Sequence, residues 1–119
     1  MTINAFLESL KMNPESIHFT DTMAVIAENY AYSPAEFING DLCNEAGTNE
    51  GSCKIFAFAK IHSLSEAETL ACFGDYYRKD VLNSPDGHDH ANIRNFMLNG
   101  WSGLKFKSQA LEPKALAEP

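Results

Sequence analysis

Three cysteines, four histidines and a cluster of amides carry most of the chemistry available to this 119-residue chain. Cys53 follows Ser52 at the start of the most apolar helical stretch. There the positive end of the helix dipole and the neighbouring Lys54 favour a thiolate. A cysteine nucleophile also needs a base and a group that orients it. The tract DGHDHAN supplies both residue types: His88 or His90 as base, Asp86 or Asp89 as partner. This reading makes Cys53, His88 and His90 the candidate catalytic set of a hydrolase or acyltransferase, and it requires an exposed Cys53.

The competing reading is binding. The loop GTNEGSCK, residues 47–54, resembles a phosphate loop at first sight, but its two glycines are four apart and Ile55 stands where the hydroxyl residue belongs. Nucleotide triphosphates are therefore excluded. A helix start with free amide N–H groups can still hold a carboxylate or phosphate. Asn44, Asn49, Ser52 and Lys54 from this stretch, with Asn92, Arg94 and Asn95 from the later tract, form the candidate ligand-binding surface. Asn39 and Asn99 add further amides. His88 and His90 could share a metal with Asp86, but a His-x-His turn lacks the i, i+4 spacing of a helical metal pair, and Asp89 reads better as a helix cap. No metal and no cofactor are expected.

The elements that position these residues follow from periodicity. Thr2 caps a helix with Ile3, Phe6, Leu7 and Leu10 on one face, stopped by Asn13-Pro14. Ile17-His18-Phe19 alternates like a short strand, and Thr20 or Asp21 then caps a helix carrying Met23, Ile26, Ala27 and Tyr30, broken at Ser33-Pro34. Asn39-Gly40 predicts a two-residue hairpin turn pairing Ile38 with Asp41, Phe37 with Leu42 and Glu36 with Cys43.

Ser52 caps a helix from Cys53 to His62 that is apolar almost all round and so belongs at the centre of the core. Ser65-Glu66-Ala67-Glu68 is a capping box for the next helix, closed by Gly74, and a further helix restarts at Asp75. Pro85-Asp86-Gly87 turns the chain. Asp89 caps a last helix bearing Ile93, Phe96 and Met97, and Leu104 to Lys107 alternates as a final strand. The prediction is an α+β fold: several short helices around a small, mainly antiparallel sheet with one hairpin. It forms a single domain over residues 1–110, with residues 111–119 a frayed tail.

Composition narrows the function. The net charge of −7 is unevenly spread: residues 1–50 hold eight acids and one base, and residues 51–119 hold eight of each. No Lys or Arg lies between Met12 and Cys53, which excludes a nucleic-acid backbone as partner of that surface. No apolar run reaches membrane-spanning length and the start lacks the basic and apolar parts of a cleaved signal. Three cysteines without paired spacing suit a reducing compartment, so folding in the cytosol is expected. Oligomeric state is not legible.

The segments DTMAVIAENY, NGDLCNEAGTNEGSCKIFAFAK, LACFGDYYRKDVL and PDGHDHANIRNFMLNGWSGLKF resemble the HopJ family of type III effector proteins. The resemblance runs from about Phe6 to Phe106. It implies a bacterial virulence protein that passes from the producing cytoplasm through a type III system into a host cell, with a host protein as its expected partner; the loop residues themselves point instead to a small polar or anionic ligand. It implies no particular catalytic residue. A housekeeping bacterial protein that is not secreted is the alternative.

Overall fold

Helix α1, Ile3–Met12, begins where Thr2 Oγ1 accepts the Ala5 N–H at 3.1 Å, and it buries Phe6 and Leu10. Pro14 cannot continue it, and Pro14–Ser16 forms a 3-10 turn. The computed structural model describes residues 2–114. The strand expected at Ile17-His18-Phe19 is absent. Helix α2, Phe19–Asn29, already starts there, because Asp21 reaches back and accepts the His18 N–H at 3.0 Å. Asp21 thus acts from the first turn, and neither it nor Thr20 is the cap. The helix also ends one residue early: Tyr30 opens β1, Tyr30–Tyr32.

Strands β2, Phe37–Asn39, and β3, Leu42–Asn44, form the expected hairpin with its turn one residue further on, so that each partner moves by two. Phe37 pairs with Asn44, Ile38 with Cys43 and Asn39 with Leu42, so Gly40-Asp41 is the turn. The reason is burial. Asn39 is 0% exposed and donates its side chain into α5, so it is held in the strand, while Gly40 takes the positive φ of +65°.

Helix α3, Glu50–Ile61, is the centre of the molecule. It starts three residues before the sequence predicts, with Asn49 in the left-handed conformation as the flanking residue and Ser52 inside the first turn. Its two phenylalanines look in different directions. Phe56 meets Phe37, Phe73 and Phe96 at ring-centroid distances of 6.0, 5.5 and 5.0 Å, and Phe58 meets Phe6 and Tyr30 at 5.7 and 6.0 Å. Edge and tilted ring packing of this kind joins both halves of the core through one helix.

Helix α4, Glu66–Ala71, carries the predicted capping box: Glu68 N–H donates to Ser65 Oγ at 3.1 Å, and Ser65 N–H to Glu68 Oε1 at 2.9 Å. After Gly74 the chain winds into a π-helical segment, Tyr76–Val81. Arg78 anchors it, donating to Pro14 O at 3.2 Å, to Ala71 O at 3.4 Å and to Ile17 O.

Helix α5, Ala91–Asn99, is flanked by His90, also left-handed, and Asp89 is not its cap. A 3-10 turn, Gly100–Gly103, leads into β4, Leu104–Phe106. Strand β4 pairs antiparallel with β2, giving the sheet order β3-β2-β4. The tail from residue 111 is not frayed at its start. Strand β5, Leu111–Pro113, pairs antiparallel with β1, and Leu111 is buried. Only residues 115–119 of that predicted tail lie outside the described residues. The fold is α+β, with two small antiparallel sheets where one was expected. Among the described residues no helix is long and apolar enough to cross a membrane.

Candidate functional site

The loops that the sequence singled out do converge. A cleft of about 510 Å³ is walled on one side by Asn49, Gly51 and Ser52 at the head of α3, and on the other by His90, Ala91, Asn92 and Ile93 at the head of α5. Phe19, Leu42, Phe73 and Tyr76 complete it with apolar surface. Gly51 lets Phe19 close the α3 side: a Cβ there would stand 2.9 Å from Phe19 Cζ, so the ring would have to shift.

Behind the polar wall the asparagines form one network. Asn92 and Asn44 exchange side-chain hydrogen bonds at 2.9 and 3.1 Å. Asn39 donates to Asn92 O and Oδ1 at 2.8 and 3.0 Å, Asn49 to Asn44 Oδ1 at 2.7 Å, and Asn95 to Asn39 O at 3.0 Å. Asn39, Asn44 and Asn92 are all buried, so these amides replace the water they lost and fix the hairpin against α5. The Oδ1 atom of Asn39 is buried with no partner among the described residues.

Of the ligand-binding candidates, Asn49, Ser52 and Asn92 line the cleft, while Asn44 and Asn95 support it from behind. Lys54 and Arg94 do not reach it. The Lys54 ammonium lies 4.7 Å from the Tyr32 ring centroid, a cation–π contact on another side of α3. Arg94 staples its own loop, donating to Ser84 O at 2.8 Å and to Asp89 O and Oδ1 at 2.6 Å each. This pairing holds the Asp89 carboxyl below its ordinary range.

The catalytic candidates separate. Cys53 is 1% exposed, its thiol donates toward Ala35 O at 3.7 Å, and burial pushes the thiol up. The exposed thiolate that the nucleophile reading requires is absent: Cys53 is buried, and with α3 starting at Glu50 its own N–H is already bonded to Asn49 O, so it no longer stands at the free helix head. Cys72 is buried and pushed up to about 12 by desolvation, and Cys43 alone is exposed. His88 is exposed and outside the cleft lining.

His90 lies in the cleft, but its carboxylate partner is one the sequence did not suggest. Its Nε2 stands 3.0 Å from Asp80 Oδ2, with Asp89 Oδ2 more distant at 3.8 Å. Tyr76 packs its ring 5.2 Å from the imidazole. Tyr76 and Asp80 both come from the π-helical segment, a conformation with no sequence signature. Among the described residues no group of three or more His, Cys, Asp or Glu is arranged to hold a metal ion.

No curated protein matches this chain. A crystal structure described as that of the unknown function protein VPA0580 superposes with a TM-score of 0.95 at 52% identity, covering 96% of this chain and 95% of the other. A family model described as HopJ type III effector protein matches residues 3–111. With nearly its whole length inside that match, the chain belongs to the HopJ type III effector protein family.

Proposed function

We propose that this HopJ-family protein works by binding a small polar molecule, through a carboxylate or phosphate group, in the cleft between the heads of α3 and α5. The observation that carries this reading is the meeting of two helix starts in one cavity, neither with a side-chain cap. The first amide N–H groups of a helix have no partner within it. At both heads the left-handed flanking residue accepts a backbone N–H only from the fourth position on, Cys53 to Asn49 O at 3.0 Å and Arg94 to His90 O at 3.1 Å. The N–H groups of Gly51 and Ser52, and of Ala91, Asn92 and Ile93, therefore lack a partner in their own helix, and all five residues line the cleft. The Ser52 hydroxyl supplies a further donor, while Phe19, Phe73 and Ile93 suit an apolar body.

The test is a titration of the full chain with inorganic phosphate and with acetate, followed by amide NMR shifts. Saturable shifts confined to Gly51, Ser52, Ala91, Asn92 and Ile93, lost in Ser52→Glu, are expected. Shifts spread over the exposed Lys105 and Lys107 instead would refute the reading. Delivery into a host cell, the finer part of the family description, is tested separately with a translocation reporter. The signal should vanish when the producing strain lacks its secretion apparatus.

A further inference from the structure

The cleft holds a histidine set up as a base. His90 Nε2 faces the Asp80 carboxylate at 3.0 Å, and a carboxylate only accepts, so the ring proton is fixed on Nε2 and the Nδ1 lone pair is left over. Nδ1 has no hydrogen bond among the described residues, although a residue at the head of a helix can accept a first-turn N–H. The π-helical segment holds the ring twice, through the Asp80 carboxylate and through the packing of Tyr76. The other carboxylate near the imidazole, Asp89, is committed to Arg94 at 2.6 Å.

We propose that the cleft is a hydrolytic site for small acyl esters, with His90 as general base and Asp80 as its positioning residue. This rests on the cleft being a ligand site, as argued above. His90 Nδ1 takes a proton from a water molecule as its oxygen bonds to the acyl carbon, and the carbonyl electron pair moves onto oxygen. The free N–H groups of the α3 and α5 heads meet that developing negative charge. When the tetrahedral species collapses, the C–O bond to the alcohol breaks and the imidazolium returns the proton to the departing alkoxide. The products are a carboxylic acid and an alcohol, and His90 is neutral again. Asp80 keeps the tautomer and stabilises the transient imidazolium, the role a carboxylate plays behind a catalytic histidine.

The experiment uses the full chain with Cys43→Ser, which removes the exposed thiol, and follows hydrolysis of p-nitrophenyl acetate against pH. Saturable turnover that rises as an imidazole loses its proton is expected. His90→Gln should lower kcat/KM about a hundredfold. Asp80→Asn should lower it less, and Asp80→Glu should recover part of that loss, as a positioning role requires. His88→Gln, outside the cleft, should leave it unchanged. No turnover above buffer, or equal rates for His90→Gln and His88→Gln, overturns the inference. Acetate separates the two claims: if it shifts the Gly51 and Asn92 amides while His90→Gln is silent, the hydrolytic inference falls and the binding reading stands. If neither acetate nor phosphate moves them, the binding reading falls and the hydrolytic inference that rests on it falls with it.

Discussion

Asn92 on α5 and Asn44 on β3 donate to each other's side-chain oxygens, at 2.9 and 3.1 Å, so the wall of the cleft is a reciprocal amide pair buried in the fold. Asn92→Ala removes both bonds and takes an acceptor from Asn39, at a cost of about 2–3 kcal/mol in urea unfolding. Asn49→Ala at the rim removes one bond to Asn44 and should cost about 1 kcal/mol. Asn92→Asp should be worse than Asn92→Ala, since a carboxylate oxygen would face the Asn44 Oδ1 that now accepts from Asn92. Equal stability of Asn92→Ala and Asn49→Ala would contradict the network.

The thiols divide sharply. Cys43 should be alkylated in the native protein, whereas Cys53 and Cys72 should react only on unfolding, read by peptide mass. The same burial predicts alkaline sensitivity. The folded-state pKa values of Cys53 and Cys72 are raised above the ordinary 9.0, that of Cys72 to about 12, and those of Tyr30 and Tyr32 above 10.0. Their stabilising effect is complete below pH 9 and is lost as pH rises, because the unfolded chain ionises first. Cys72→Ala should flatten part of the decline in denaturation midpoint between pH 9 and 11.

On the acid side the relevant group is His62. Its Nε2 lies 2.7 Å from the Tyr30 hydroxyl, its ring centroid 4.5 Å from that of Phe58, and burial lowers its pKa below 6.5. The unfolded chain therefore takes up the proton first as pH falls, and stability drops below about pH 6.5. His62→Gln should reduce that slope. An unchanged slope between pH 6.5 and 5 would place the acid sensitivity elsewhere.

Gly100 ends α5 at φ +59°, ψ −155°, a region essentially closed to other residues, and a Cβ there would stand 2.0 Å from Glu66 Oε2. That carboxylate also accepts the Trp101 N–H at 3.2 Å, a bond it gives up if it moves aside. Gly100→Ala should cost about 3 kcal/mol or more, and adding Glu66→Ala should recover the steric share while leaving the backbone strain. Full recovery in the double variant would mean the backbone at position 100 is unstrained.

What the sequence made legible was whatever depends on local pattern. The all-round apolar face of α3, the Ser65–Glu68 capping box and the Thr2 cap are each set by neighbours within a turn or two. The convergence of the two loops was anticipated as a surface, yet half of its expected chemistry moved. Cys53 is buried past the first turn of a helix that starts at Glu50, Lys54 lies over the Tyr32 ring, and Arg94 is bonded to Asp89. The hairpin turn moved one residue further on because a buried amide outweighed the preference for Asn-Gly in the turn. The β1 and β5 strands, three residues each, are too short to show alternation. Asp80 was invisible as a partner of His90, since only the π-helical winding and the left-handed turn at His90 bring them together.

Strand β5 lies at the far end of the described chain, and the strand it completes was made long before it. During synthesis at roughly 5–20 residues per second, Tyr30 and Phe37 wait several seconds for residues 104–113 to cover their edges. The same order applies to any passage that threads the chain amino end first. The leading part of the chain emerges with β1 unpaired and β2 paired on one edge alone, with β3, and both sheets close only when β4 and β5 arrive.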